Sequence, residues 1–184
     1  EEYPEAKGKF PIHVIDSATF SIAYGYPTLE AAKMAKNGAT VSEILAYLDD
    51  WFSCLEVYFS AFSLEYIKRS GRIGCAAAAV GEALGIRPIL RIVDGKITTL
   101  QKVHGNNNVL KAFFRIAKER MVKGAPYGVL GGTFESMTEK MTHMLRQEFG
   151  YEPFGVFDVG CAVAINSGPK MLGIGFKGAK RPRK

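Results

Sequence analysis

Three short segments carry side chains that could bind or transfer something. Asp16-Ser17-Ala18-Thr19-Phe20-Ser21 places three hydroxyls and a carboxylate within six positions. It follows the run Pro11 to Asp16, which reads as a buried strand. Hydroxyls at the carboxyl end of a parallel strand stand where α/β proteins bind ligands. If a helix begins near Ser21, its unpaired N–H groups and that hydroxyl suit an anion such as a carboxylate. The same residue types also suit a plain cap or turn. The second segment is Ser63-Leu64-Glu65-Tyr66-Ile67-Lys68-Arg69-Ser70-Gly71-Arg72-Ile73. Gly71 permits a tight turn after a short helix, and Arg72 then follows as a bidentate partner for a carboxylate or phosphate. The alternative role, a cation at a helix C-terminus, fits Lys68 and Arg69 better than Arg72. The third segment, Asn166-Ser167-Gly168-Pro169-Lys170, is a turn after an apolar run over residues 161–165 that reads as a strand, and Asn166 and Ser167 could line a site there.

Other chemistries lack their residues. His13, His104 and His143 do not stand at ligand spacing to a Cys, Asp or Glu cluster, so no metal site is expected. The sequence has no nucleophile elbow, no phosphate-binding P-loop and no dinucleotide fingerprint; Gly173-Ile174-Gly175 lacks the third glycine and the helix that should follow. No catalytic residue and no cofactor is assigned.

Composition sets the frame for these segments. The chain has 184 residues, 47% hydrophobic and 23% charged, which excludes disordered, collagen-like and disulfide-scaffold classes. The longest apolar stretches, Cys75 to Gly81 and Val159 to Ile165, fall well short of the ~20 residues that span a bilayer, so at most peripheral membrane contact is expected. The net charge is +6, and Lys180, Arg181, Arg183 and Lys184 carry four of those charges, leaving +2 for the remainder. That body has no strong reason to seek nucleic acid, and the basic tail reads as a solvated terminus. Cys54, Cys75 and Cys161 are odd in number and widely spaced, which fits small buried hydrophobes in a reducing, cytoplasmic setting. The first residue is Glu1, which suggests a processed chain or a piece of a longer one.

The elements that must position the three segments follow from pattern. Thr28 is expected to cap a helix through Ala35, and Ser42 a second one carrying Ile44, Leu45, Leu48 and Phe52. Leu55 to Phe62 reads as a strand, and the Ala-rich run Cys75 to Leu84 as a closely packed helix. Asp94-Gly95 between Pro88–Val93 and Lys96–His104 predicts a hairpin. A helix over 108–122, a strand over 127–133, a helix over 135–149, one or two strands over 155–165 and a last strand over 171–176 complete the chain. Strand and helix alternate before about residue 86, and hairpins with interposed helices follow it. The fold class expected is α/β, with part of a parallel α/β lobe at 1–86 and an α+β lobe with a mostly antiparallel sheet at 87–184.

The order IDSxxxS, SLEYIKRSGRIG, LGIRPILRIVDGKI, LQKVHG and INSGPKMLGIGF resembles the DegV family of bacterial fatty-acid-binding proteins, from about residue 12 to 176. The resemblance implies a two-lobed carrier, not itself an enzyme, that holds one long-chain fatty acid in a tunnel between lobes. It presents the carboxylate to a separate ATP-dependent fatty acid kinase, which forms the acyl phosphate. By motif matching, Ser21 is the head-group hydroxyl, Ser17 the second candidate, and Arg72 the cationic partner; Asn166 and Ser167 complete the candidate set. The expected apolar wall is Phe20, Ile22, Tyr24, Phe59, Phe62, 76–80, Leu84 and Ile165. Departures from the family pattern are specific. An early strand with a T-D-S segment has no counterpart, so the chain reads as a fragment lacking the family's N-terminal part. Asn166 stands where the family commonly has His, and it can donate a hydrogen bond without carrying charge. His104 in Lys102-Val103-His104-Gly105 and Phe62-Ser63 before Leu64 also differ, at places expected to meet the kinase. A competing reading is a phosphotransferase subunit for a small carbonyl compound, similar to dihydroxyacetone-kinase subunits, which would need a histidine placed in the cleft.

Overall fold

The computed structural model describes residues 11–71 and 85–181. Within them the elements are α1 (Ile22–Lys36), α2 (Val41–Cys54), β1 (Leu55–Ala61), α3 (Leu64–Arg69), β2 (Ile86–Val93), β3 (Lys96–His104), α4 (Asn106–Arg120), β4 (Tyr127–Gly131), α5 (Glu135–Phe149), β5 (Gly155–Asp158), α6 (Cys161–Ser167) and β6 (Met171–Lys177). The Asp94-Gly95 turn, with φ of 48° and 72°, joins β2 and β3 as the sequence predicts. The strands form one sheet in the order β3-β2-β1-β6-β4-β5. Every pairing is antiparallel except β4 with β5, so the fold is mixed α/β around a mostly antiparallel sheet. β1, although it precedes residue 86, pairs with β2 on one edge and β6 on the other.

Alternation along the strands decides what each face carries. On β6, Leu172, Ile174 and Phe176 point to the first face, where they pack with Tyr58, Tyr127 and Val129 against α4 and α5. Met171 points to the second face with Phe59, Ala61, Leu90, Ile92 and Leu130, over which lie Phe20, Ile22, Ile67 of α3 and Val163 of α6. Gly173 and Gly175 occupy the next two second-face positions of β6, and Gly175 pairs with Gly128 of β4. That face therefore has a low, side-chain-free strip along its middle.

A buried ionic cluster pins α4 to the first face. Glu56 on β1 is 2% exposed and accepts from Arg91 on β2 at 2.9 Å, Arg120 at the end of α4 at 3.0 Å, and the Tyr58 hydroxyl. Burial pushes its carboxyl up, but the Arg120 hydrogen bond, the Tyr58 hydroxyl and the Arg91 charge outweigh burial and hold it below the usual carboxylate range.

Several local expectations are corrected. Residues 11–16 form no strand, and Ile12 and Val14 are 75% and 93% exposed. A β-branched run becomes a strand only where a neighbour takes its N–H and C=O groups, and no described strand lies beside it. α1 begins at Ile22, so Thr28 is internal and its hydroxyl donates to Tyr24 O at 2.7 Å rather than capping. α2 is capped by Thr40, not Ser42: Thr40 Oγ1 accepts from Glu43 N, and the Glu43 carboxylate accepts from Thr40 N at 2.7 Å, a reciprocal capping box. Residues 161–167 form a helix rather than a strand, because a short apolar run fits either state and here only Val163 of its branched residues faces the core. The Ala-rich run 75–84 and Arg72 lie outside the described residues.

Candidate functional site

The loop before α1 is held in an unusual backbone shape. Ala18 and Ser21 have φ of 48° and 61°, in the region that favours glycine, and strain of this kind costs of order 1–3 kcal/mol per residue unless the surroundings enforce it. Three hydrogen bonds enforce it here. Asp16 Oδ1 accepts from Ala18 N at 2.8 Å, the Ser17 hydroxyl reaches Thr19 O at 3.4 Å, and Gly95 N at the hairpin tip donates to Ala18 O at 2.9 Å. Ser21 then starts α1: its carbonyl accepts from Gly25 N at 3.1 Å, but its hydroxyl makes no capping bond. The N–H groups of Ile22 and Ala23, in the first turn, have no intrahelical partner. A hydroxyl unused by its own helix thus stands beside the first-turn amides and the positive end of a 15-residue helix dipole.

Two neighbouring spaces open on the second face of the sheet. The larger, about 270 Å³, is walled by Phe20, Phe59, Ile67, Ile97, Val163 and Met171, with Asn166 and Ser167 at its polar edge. The smaller, about 20 Å³, runs beneath Ser21 and Ile22 over the floor made by Leu130, Gly173 and Gly175. Phe20, Phe59 and Met171 border both, so the space beneath Ser21 adjoins the larger one. The turn after α6 is tight: a Cβ on Gly168, at φ 80°, would lie 2.8 Å from the Tyr66 ring of α3.

The candidate residues distribute unevenly over these spaces. Ser21 borders the smaller one. Ser167 is buried at the larger, its hydroxyl within reach of Val163 O at 3.0 Å and Gly168 O at 3.2 Å, while Asn166 Nδ2 donates to Ala162 O at 2.9 Å. Ser17 faces a third, separate cavity beside Arg181. Among the described residues no charged side chain lines the larger space. Of the expected wall, Phe20, Ile22 and Phe59 are in place, whereas Tyr24 and Ile165 are exposed and Phe62 lies on the opposite face of the sheet; 76–80 and Leu84 lie outside the described residues. None of His13, His104 and His143 borders either space. Sequence reasoning missed Ile67, Ile97, Val163 and Met171, which carry no chemical signature of their own. It also missed the glycine floor, whose signal was the alternation of Gly173 and Gly175 on one face of β6.

A family profile described as an uncharacterised protein of the DegV family matches residues 1–178. The chain belongs to the DegV family. A DegV domain-containing protein of Streptomyces coelicolor is 30% identical over 167 residues, covering 89% of this chain and 59% of that protein. A Thermotoga maritima relative named a fatty acid-binding protein is 26% identical over 177 residues, covering 94% of this chain and 62% of its own. Among solved structures, a DegV lipid-binding protein from Thermotoga maritima is 25% identical with a TM-score of 0.77, over 97% of this chain and 63% of the other. A DegV protein from Eubacterium eligens, loaded with heptadecanoic acid, shares the fold at a TM-score of 0.86 and 19% identity, over 96% and 64% of the two chains. This DegV chain thus spans about three fifths of the length of the relatives it matches. Among the described residues, no helix is long and apolar enough to cross a membrane.

Proposed function

We propose that this chain forms the acyl cavity and head-group turn of a DegV protein that binds one long-chain fatty acid and presents it to a separate fatty acid kinase. The observation that carries this reading is the juxtaposition of an apolar space of about 270 Å³ with a strained serine whose hydroxyl its own helix does not use. Each buried methylene gains ~0.8 kcal/mol, so the hydrocarbon supplies most of the affinity. The space, about 270 Å³, falls just below the ~300–1,000 Å³ of ligand pockets, so it takes part of the acyl chain rather than the whole. The carboxylate stays charged only if it remains hydrogen-bonded away from water. Ser21 Oγ and the first-turn N–H groups of α1 are assigned that role, with Arg72 as the cationic partner and Asn166 and Ser167 at the polar edge of the acyl space. Ser17 acts behind the turn rather than on the ligand. No group here is assigned to chemistry: the kinase transfers phosphate to the exposed carboxylate, in the cytoplasm where ATP is available. The pairing of β1 across residue 86 argues that the parallel lobe is represented mainly by residues 11–54, and that the second lobe begins with β1.

The test is mass spectrometry of small molecules released on denaturing freshly purified protein, followed by incubation with a fatty acid kinase, ATP and the acid found. The reading expects a long-chain acid and an acyl phosphate whose formation depends on this protein. Release of no acid, together with no uptake of added acid, rejects it.

A further inference from the structure

A third cavity lies behind the Ser21 turn, sharing Val57 and Ile92 with the smaller of the two spaces assigned to the acyl chain. It measures about 30 Å³ and is bordered by Ser17 and Thr19 of the turn, Ser53 at the end of α2, Asp94 at the hairpin tip, and Arg181. Two of the polar atoms on these residues, Thr19 Oγ1 and Arg181 Nε, are buried and find no hydrogen-bond partner among the described residues. Arg181 is otherwise firmly placed: its backbone N–H donates to Ser53 O at 2.9 Å, and its guanidinium donates through Nη2 to Leu55 O. The segment leading to it is tied down as well, by Gly178 N to Cys54 O at 2.8 Å and by Lys177 and Lys180 to Asp50. Orphaned donors and hydroxyls are costly in a dry site, and a buried water needs ~10–15 Å³ and two to four polar partners. This cavity has the room for one, and Arg181 Nε–H, Thr19 Oγ1 and Ser17 Oγ supply donor and acceptors.

We propose that a single buried water bridges Arg181 Nε to Thr19 Oγ1, making Arg181 and Thr19 positioning residues that hold the Ser21 turn from behind. The functional part of this inference rests on Ser21 being the head-group residue. The water accepts from the guanidinium Nε–H and donates to the two hydroxyl oxygens, so the residues after β6 and the turn before α1 are locked through one molecule. The Gly95-to-Ala18 hydrogen bond holds the turn from the hairpin side, and the bridge holds it from the C-terminal side.

The test uses the 184-residue chain as wild type, Thr19→Val, Thr19→Ser, Arg181→Met and the double variant Thr19→Val/Arg181→Met. Amide hydrogen exchange is followed over residues 17–23. Thr19→Val and Arg181→Met each speed exchange there by about tenfold, the scale of one lost hydrogen bond. The double variant is no faster than the single ones, because both act through one water, and Thr19→Ser restores slow exchange. Unchanged exchange in Thr19→Val, or additive effects in the double variant, overturns the bridge. A ligand arm then reads the function: Thr19→Val weakens binding of a long-chain acid severalfold while sparing the matching alcohol. Equal loss for both ligands removes the positioning role. Wild-type protein that binds neither ligand removes the head-group reading of Ser21, and the exchange data still decide the bridge by themselves.

Discussion

Val163→Phe separates a ligand cavity from an ordinary packing defect. Val163 sits on α6 with its side chain against the second face of the sheet, beside Phe59, Ile97 and Met171. Helix propensity is nearly indifferent to the exchange, since Val and Phe rank together. The ring enters the space of about 270 Å³ and displaces ligand rather than protein. Excluding about four methylenes at ~0.8 kcal/mol each weakens an acyl chain by about 3 kcal/mol, roughly 200-fold in Kd. Filling an apolar space meanwhile raises stability by about 0.5–2 kcal/mol. The assay is displacement of a fluorescent fatty acid, paired with thermal denaturation of the ligand-free protein. Ile165→Phe is the control, because Ile165 on the same helix is 73% exposed and its substitution leaves affinity unchanged. Unaltered affinity in Val163→Phe with preserved stability refutes the placement of the acyl chain here. A loss of affinity matched by a loss of stability refutes the reasoning too, because it shows that the ring broke the fold instead of occupying a cavity.

Three further predictions follow from individual residues. Ser21→Gly relieves a φ of 61° and raises stability by about 1 kcal/mol, whereas both Ser21→Gly and Ser21→Ala weaken acid binding by about 1–3 kcal/mol; melting curves and acid titrations check the two signs. Glu56→Gln leaves Arg91 and Arg120, both partly solvated, facing a neutral partner and destabilises the protein by about 1–3 kcal/mol in urea denaturation. Because the folded carboxyl lies below its ordinary value, its stabilising effect is complete above the unfolded value of ~4.3 and is lost as pH falls through the folded value; wild type loses stability there and Glu56→Gln loses less. Thr40→Ala removes the capping box and costs about 1 kcal/mol by the same denaturation measurement, without changing acid affinity.

The sequence was most legible where local chemistry decides the structure. Asp94-Gly95 could only be a hairpin turn, and α5 has the helical boundaries its pattern implied. It was least legible where a tertiary partner decides. Pro11 to Asp16 has strand composition but no described strand beside it, and Cys161 to Ser167 was folded into a helix by packing of Val163 on the sheet. Pro27-Thr28 imitates a helix start, while the true start at Ser21 needs a positive φ that no residue type announces. The site divides in the same way. The motifs singled out Ser21 and Ser167, and these border the smaller and the larger space respectively. The lining of the apolar space came from Ile67, Ile97, Val163 and Met171, which look like any core residues until the sheet brings them round one space.

In the proposed complex, hydrocarbon lies against the second face of the sheet, with its carboxylate at Ser21. A crystal structure with an ω-bromo long-chain acid tests this directly, because anomalous scattering locates the tail. Bromine is expected among Phe59, Ile97 and Val163, with carboxylate oxygens on Ser21 Oγ and the first amides of α1. Bromine in the groove that Tyr26 and Leu29 of α1 form with Phe154 and Phe157 of the β5 side, or a carboxylate away from Ser21, contradicts it.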